Sequence, residues 1–210
     1  MRTRSVALLA VSVCVALCVP TVAQTTGFTL KEYLAPQFTA PEGAPSRMVI
    51  AGEDEPGERL IVTGRTLEGD KPVPGVSLYV FHTDAKGRYS LETGDNQVGE
   101  LNPRLHGALR TDAQGRYEYA TSRPGSYENG AAHVHYVVSA RDYEPLLVVL
   151  QFEDDPIVVA KRKFGLLLLN DEAFKNGPCK ARPDCVLTQP VRRDAQGVSH
   201  VTRDIQMVKK

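Results

Sequence analysis

The sequence predicts an all-β protein, an antiparallel β-sandwich with short helical turns and long loops. Three observations carry that reading. From Arg59 onward, short runs rich in Val, Leu, Tyr, Phe and Thr recur at close intervals. Several have a two-residue alternation, with Leu78, Val80 and His82 set against Tyr79 and Phe81. Gly, Pro and Asp punctuate the gaps between the runs. Short β-type runs separated by turn residues are the pattern of an antiparallel sandwich or barrel.

The elements follow in chain order. Residues 1–23 read as a signal peptide: Arg2 and Arg4 give a basic start, Val6 to Val19 is apolar apart from Ser12, and Thr21-Val22-Ala23 offers small residues for cleavage. The apolar run falls short of the roughly 20 residues a helix needs to cross a bilayer. The expectation is therefore an exported chain, periplasmic or secreted. Residues 24–47 form a leader rich in Thr, Pro, Ala and Gly, in which Pro36 and Pro41 limit any helix around Leu30 to Leu34 to one turn. The remaining chain, 48–210, is one domain by length. Its expected strands are Leu60–Leu67, Val76–His82, Gly107–Thr111, Arg116–Ala120, Ala132–Ala140, Leu146–Phe152 and Val201–Val208. Leu166 to Leu169 reads as a further buried strand, and the helix-like windows are weak, centred on Asp171 to Lys175.

Thr83-Asp84-Ala85-Lys86-Gly87-Arg88-Tyr89 returns as Thr111-Asp112-Ala113-Gln114-Gly115-Arg116-Tyr117, and Asp194-Ala195-Gln196-Gly197 echoes its middle. Asp-x-x-Gly is a good turn, because Asp bonds its own backbone and Gly supplies a positive φ. The copies are too few for a solenoid. Cys14 and Cys18 leave with the signal, and Cys179 and Cys185 are expected to pair as a disulfide in an oxidising compartment. The 25 basic and 25 acidic residues balance, so the chain lacks the basic footprint of a nucleic-acid binder. No later apolar segment approaches membrane length.

His133-Val134-His135 lies in a β-type run, so both imidazoles point to one face with Cα atoms about 6.5–7 Å apart. Two imidazoles so placed can hold one metal, or can be ordinary core or surface histidines. Tyr127, in the turn Arg123-Pro124-Gly125-Ser126-Tyr127, and Tyr89, at the end of the first Asp-x-x-Gly turn, supply context. A phenol of pKa about 10 gives up its proton to a strongly acidic cation, and ferric iron meets that need better than zinc or calcium. Tyr117 follows the same turn as Tyr89 and is its rival, but it alternates with Tyr119 in one β-type run and reads as a packed sheet position. Tyr136 points to the opposite face from His135.

Several ordered motifs resemble the intradiol ring-cleavage dioxygenases, the protocatechuate and catechol dioxygenase group. They are Gly64-Arg65-Thr66, Pro72-Val73-Pro74-Gly75-Val76, the two Asp-x-x-Gly-Arg-Tyr turns, Pro124-Gly125-Ser126-Tyr127 and His133-Val134-His135. The resemblance covers about half the chain, from Gly57 to about Pro156. It implies a β-sandwich and a ferric iron held by Tyr89 and His133 as equatorial ligands and by Tyr127 and His135 as axial ones, with a solvent hydroxide. It implies further that a catechol binds through both oxygens, that Tyr127 is released, and that dioxygen opens the ring between the two hydroxyl-bearing carbons. Iron suffices as cofactor. One departure stands out: the family's arginine, three residues before the first histidine, is Gly130 here, and Arg110, Arg123 and His106 are the candidates to replace it. Two other readings are a prealbumin-like binding module without chemistry and a metal site of different activity. The four-residue ligand set separates the first reading from the second.

Overall fold

In a computed structural model, which describes residues 35–91, 102–127, 130–164, 182 and 184–210, the β-type runs pair into two sheets. The strands are β1 (Arg47–Val49), β2 (Arg59–Glu68), β3 (Lys71–Pro72), β4 (Ser77–His82), β5 (Leu105–Arg110), β6 (Arg116–Ser122), β7 (His133–Ser139) and β8 (Leu146–Phe152). A helix α1 (Pro156–Phe164) follows, then β9 (Val186–Gln189), β10 (Arg192–Arg193), β11 (Ser199–Thr202) and β12 (Ile205–Gln206). One sheet runs β1-β6-β2-β11-β10, with β3 and β12 also on β2; the other runs β5-β4-β7-β8-β9.

The sandwich is mixed where the sequence suggested antiparallel pairing throughout. Pairs β2–β6, β4–β5, β4–β7 and β7–β8 are antiparallel, whereas β1–β6, β2–β11, β2–β12 and β8–β9 are parallel. Parallel neighbours need a long crossover, and α1 lies in the connection from β8 to β9. This helix was not among the expected elements. It begins at Pro156, whose missing N–H costs nothing in the first turn, and ends in Lys161, Arg162 and Lys163, which suit the negative end of the helix dipole.

One other expectation is corrected. The strand Val201–Val208 breaks at Arg203-Asp204 into β11 and β12: the Arg203 N–H still donates to the Thr63 carbonyl at 2.8 Å, but neither residue has a partner in register on β2. The Asp204 side chain accepts the Arg65 N–H at 2.8 Å, and the Arg203 carbonyl turns inward to accept the Tyr117 hydroxyl. Pro36 starts a short 3-10 turn, Pro36–Phe38. Arg47 is the first residue of β1. The signal, Leu30 to Leu34, Leu166 to Leu169, Asp171 to Lys175 and Cys179 lie outside the described residues. Cys185 is buried, with its carbonyl accepting the Val149 N–H at 2.7 Å.

Between the sheets lies the main core: Leu60 and Val62 from β2, Leu78 and Val80 from β4, Val134, Tyr136 and Val138 from β7, and Val148 and Leu150 from β8. The Tyr119 and Tyr136 hydroxyls meet there at 2.6 Å. Burial pushes the phenols of Tyr117, Tyr119 and Tyr136 well above their ordinary value, so all three remain neutral hydrogen-bonding core residues. Arg203 is fully buried and gives its guanidinium to the carbonyls of Asp184 and Asp204. Gly64 makes that arrangement fit: a Cβ there would collide with the Arg203 carbonyl and stand 2.7 Å from the Tyr117 hydroxyl.

The second sheet is buried on its outer face too. A separate cluster of Phe38, Tyr79, Phe81, Tyr89, Val137 and Leu147 covers it. The leader is held there by Ala40 N–H donating to Ser77 Oγ at 2.7 Å, and by Arg110 donating to the carbonyls of Ala40, Pro41 and Gly75.

Candidate metal centre

Strand β7 places His133 and His135 on this outer face, opposite Tyr136. The two tyrosines come from loops that glycines allow to touch. In the turn before Tyr89, Asp84 Oδ1 accepts the N–H groups of Lys86 and Arg88 at 2.8 and 3.0 Å, and Oδ2 takes the Arg88 guanidinium at 2.9 Å. Burial works to raise the Asp84 carboxyl, but these donors outweigh it and hold it below its usual range. Gly125 N–H donates to the Asp84 carbonyl at 2.8 Å, and Thr83 Oγ1 donates to the Gly125 carbonyl at 3.0 Å. Gly87, at φ 76°, has no room for a side chain: a Cβ would meet the Ser126 carbonyl and come within 3.0 Å of Tyr127 Cβ. A Cβ on Gly125 would stand 2.8 Å from Gly87 N. The two tyrosine-bearing loops are thereby locked edge to edge.

The four donor atoms form one unbroken string. Tyr89 Oη lies 3.3 Å from Tyr127 Oη, Tyr127 Oη 3.3 Å from His133 Nε2, and His133 Nε2 2.9 Å from His135 Nε2. Two donors each about 2.1 Å from one cation and about 90–110° apart would stand roughly 3.0–3.4 Å from each other. The spacing fits a single metal ion. His133 Nδ1 donates to the Ala131 carbonyl at 2.7 Å, which fixes the tautomer and leaves Nε2 as the lone-pair nitrogen. His135 stacks flat on Phe81, 4.7 Å between centroids and 9° between planes. Burial lowers the pKa of His133, against the opposing pull of the Ala131 carbonyl and the Asp155 charge. Burial, then His133 and His82, lower His135 still further. Neutral imidazoles are the form a metal takes. Among the described residues, no group of three His, Cys, Asp or Glu side chains offers a site of another type.

A family profile described as "Dioxygenase" matches residues 34–165. The chain belongs to the intradiol ring-cleavage dioxygenases. It is 32% identical to the protocatechuate 3,4-dioxygenase beta chain of Burkholderia cepacia, over 73% of this chain and 67% of that one. It is 30% identical to catechol 1,2-dioxygenase 1 of Acinetobacter lwoffii over 50% of this chain, which spans 39% of that relative's length. The solved dioxygenase domain of a dioxygenase carbohydrate-binding protein fusion from Streptomyces sp. SirexAA-E shares the fold, with a TM-score of 0.55 at 21% identity over 81% of this chain and 92% of that domain.

Within this family member, two of the three candidate cations are engaged in other contacts. Arg110 pins the leader, and Arg123 pairs with Asp154 at 2.5 Å and lies over the Phe152 ring at 4.7 Å. His106 shares the face: it is in register with Phe81, which is in register with His135, and it stacks on Tyr79 with centroids 5.4 Å apart. Gly130 is buried and donates its N–H to the Tyr127 carbonyl at 2.9 Å, closing the turn between the two ligand segments. Two residues on this side were missed from sequence. Gln151 stands directly across from His133 in the β7–β8 register, where it interrupts an apolar run. Asp155, 2% exposed, precedes Pro156 in an Asp-Pro pair that is a readable helix start.

Proposed function

We propose that this chain is an exported, ferric-iron intradiol dioxygenase that opens catechol-type rings with dioxygen between their two hydroxyl-bearing carbons. The contact of Tyr89, Tyr127, His133 and His135 through their donor atoms carries the reading. A β-sandwich module without chemistry gives no reason for these four to meet. Two phenols and two neutral imidazoles suit a hard trivalent cation, and the donor spacing fits one. When bound, ferric iron supplies the Lewis acidity and one-electron character that allow dioxygen to react with a catecholate.

The protein residues divide the remaining work. Tyr89 is 1% exposed and packed beside Phe81, so it is a permanent anchor. Tyr127 sits half-buried on its loop and can leave its position without opening the core. Its phenolate oxygen is the base that accepts a proton from the incoming catechol. Phe81, Tyr79 and Phe38 are buried behind the donors as an aromatic backing, with Phe81 stacked on His135. Tyr79 remains a neutral phenol there, its pKa raised to about 12 by burial. The signal at residues 1–23 and a Cys179–Cys185 disulfide belong to the same proposal of an exported protein, and among the described residues no helix is long and apolar enough to cross a membrane.

The test is to load purified metal-free protein with ferric iron and record metal content, visible absorption and oxygen uptake with catechol. One iron per chain, a tyrosinate charge-transfer band and a ring-opened diacid are expected. Preferential zinc uptake with no visible band would overturn the metal assignment. A coloured protein that consumes no dioxygen with any catechol would overturn the activity.

A further inference from the structure

The peptide unit joining Ala131 to Ala132 stands between a buried carboxylate and one of the proposed ligands. Its carbonyl accepts His133 Nδ1–H at 2.7 Å, and its N–H donates to Asp155 Oδ2 at 3.2 Å. The same Oδ2 accepts Ser126 Oγ–H at 3.2 Å, beside Tyr127. Oδ1 caps α1 through the N–H groups of Ile157 at 2.8 Å and Val158 at 3.3 Å. One carboxylate therefore reaches the tyrosine loop, the histidine strand and the helix start at once.

We propose that Asp155 is a positioning residue that tunes the metal centre through this peptide, as a carboxylate–peptide–imidazole relay ending at His133 Nε2. The proposal rests on the reading that His133 binds ferric iron. A carboxylate that accepts a peptide N–H polarises the peptide and adds negative charge to its carbonyl oxygen, since linked hydrogen bonds strengthen one another in a low-dielectric interior. The more negative Ala131 oxygen pulls harder on Nδ1–H, which makes Nε2 a stronger donor. Metal-bound histidines commonly bond a carboxylate directly, to the same effect. Here one peptide is interposed, and the path is buried, so water screens it little. The contact to Ser126 orients the adjacent Tyr127 loop from the same anchor.

The experiment compares wild type with Asp155→Asn and Asp155→Ser. Asn and Ser are both good helix caps, so each keeps an oxygen for Ile157 and Val158. Asn turns the other oxygen into an NH2 group facing the Ala132 N–H, and Ser deletes it. Expected for both are a tyrosinate band at longer wavelength, a higher ferric/ferrous midpoint potential, and a ferric affinity lower by about tenfold or more. A helix-capping role alone would change the unfolding midpoint of metal-free protein and leave band and potential in place. Iron-loaded variants with the wild-type band and potential therefore overturn the relay while leaving the metal reading intact. A wild type that takes up no ferric iron overturns the metal reading, and the relay with it.

Discussion

His82 makes the stability of the metal-free protein depend on pH. Its side chain is fully buried at the end of β4, with Nδ1–H donating to the Thr83 carbonyl at 2.7 Å and Nε2 accepting from Thr121 Oγ1 at 2.8 Å. Burial lowers its pKa from 6.5 to about 4, with Arg104 and His133 acting the same way and the Thr83 carbonyl and Glu55 opposing. Above the unfolded value both states are neutral and the full contribution is present. As pH falls through that value, the unfolded chain takes a proton that the folded one refuses. Stability is lost progressively until about pH 4, where the folded form also protonates. A shift of this size is worth about 3 kcal/mol, at about 1.36 kcal/mol per unit. Urea denaturation of metal-free wild type and His82→Asn between about pH 7.5 and pH 4 measures it, since Asn keeps a donor and an acceptor without titrating. The wild type should lose about 3 kcal/mol more than the variant across that window. The variant keeps a residual slope from His133 and His135, whose pKa values are lowered in the same direction. Equal slopes would show that His82 carries its charge inside the fold and that the burial argument is wrong.

Gly64→Ala should destabilise the fold by about 1–3 kcal/mol, read as a lower urea midpoint, because its methyl drives Arg203 and Tyr117 apart. Gly87→Ala combines an unfavourable left-handed backbone with a clash against Ser126, so it should separate the tyrosine loops. Its expected signature is weaker iron uptake and a bleached tyrosinate band; an unchanged band would refute the locking of the loops. Gly130→Arg restores the family cation beside the site, and losing one positioned charge commonly costs about 10²–10³ in rate. Its oxygen uptake with catechol should therefore exceed that of wild type; no gain would show that another group, with His106 the first to test, already fills the role.

The strands that position the site were legible because each carries its own signal. The β-type run around His133 and the Asp-x-x-Gly turn before Tyr89 both depend on residues close in sequence. The resemblance to a family named the four donors; their spacing follows from contacts such as Gly87 against Ser126, which join distant segments and leave no local pattern. The parallel pairings were hidden for the same reason, since β2 meets β11 across more than half the chain. Helix α1 was readable from Asp155-Pro156 and the basic run Lys161-Arg162-Lys163, but its short apolar stretch Ile157-Val158-Val159 is equally at home in a strand. The break at Arg203 depends on a tyrosine hydroxyl from another strand, and no window along the chain contains both. Gln151 became visible only once the β7–β8 register was known.

Strand β7 is buried on both sides, with Val134, Tyr136 and Val138 in the main core and His133 and His135 at the donor cluster. Stability and chemistry are thus interleaved at a spacing of a single residue. Substitutions can address one without the other, since a change at Val138 and a change at His135 face different compartments. Insertions and deletions cannot. A one-residue slip would carry both imidazoles between the sheets and turn Tyr136 toward Tyr89 and Tyr127. A variant of β7 that keeps its length, both histidines and an intact core must therefore still present those histidines to the site, which opens the core-facing positions to point-mutation libraries and closes the strand to length variation.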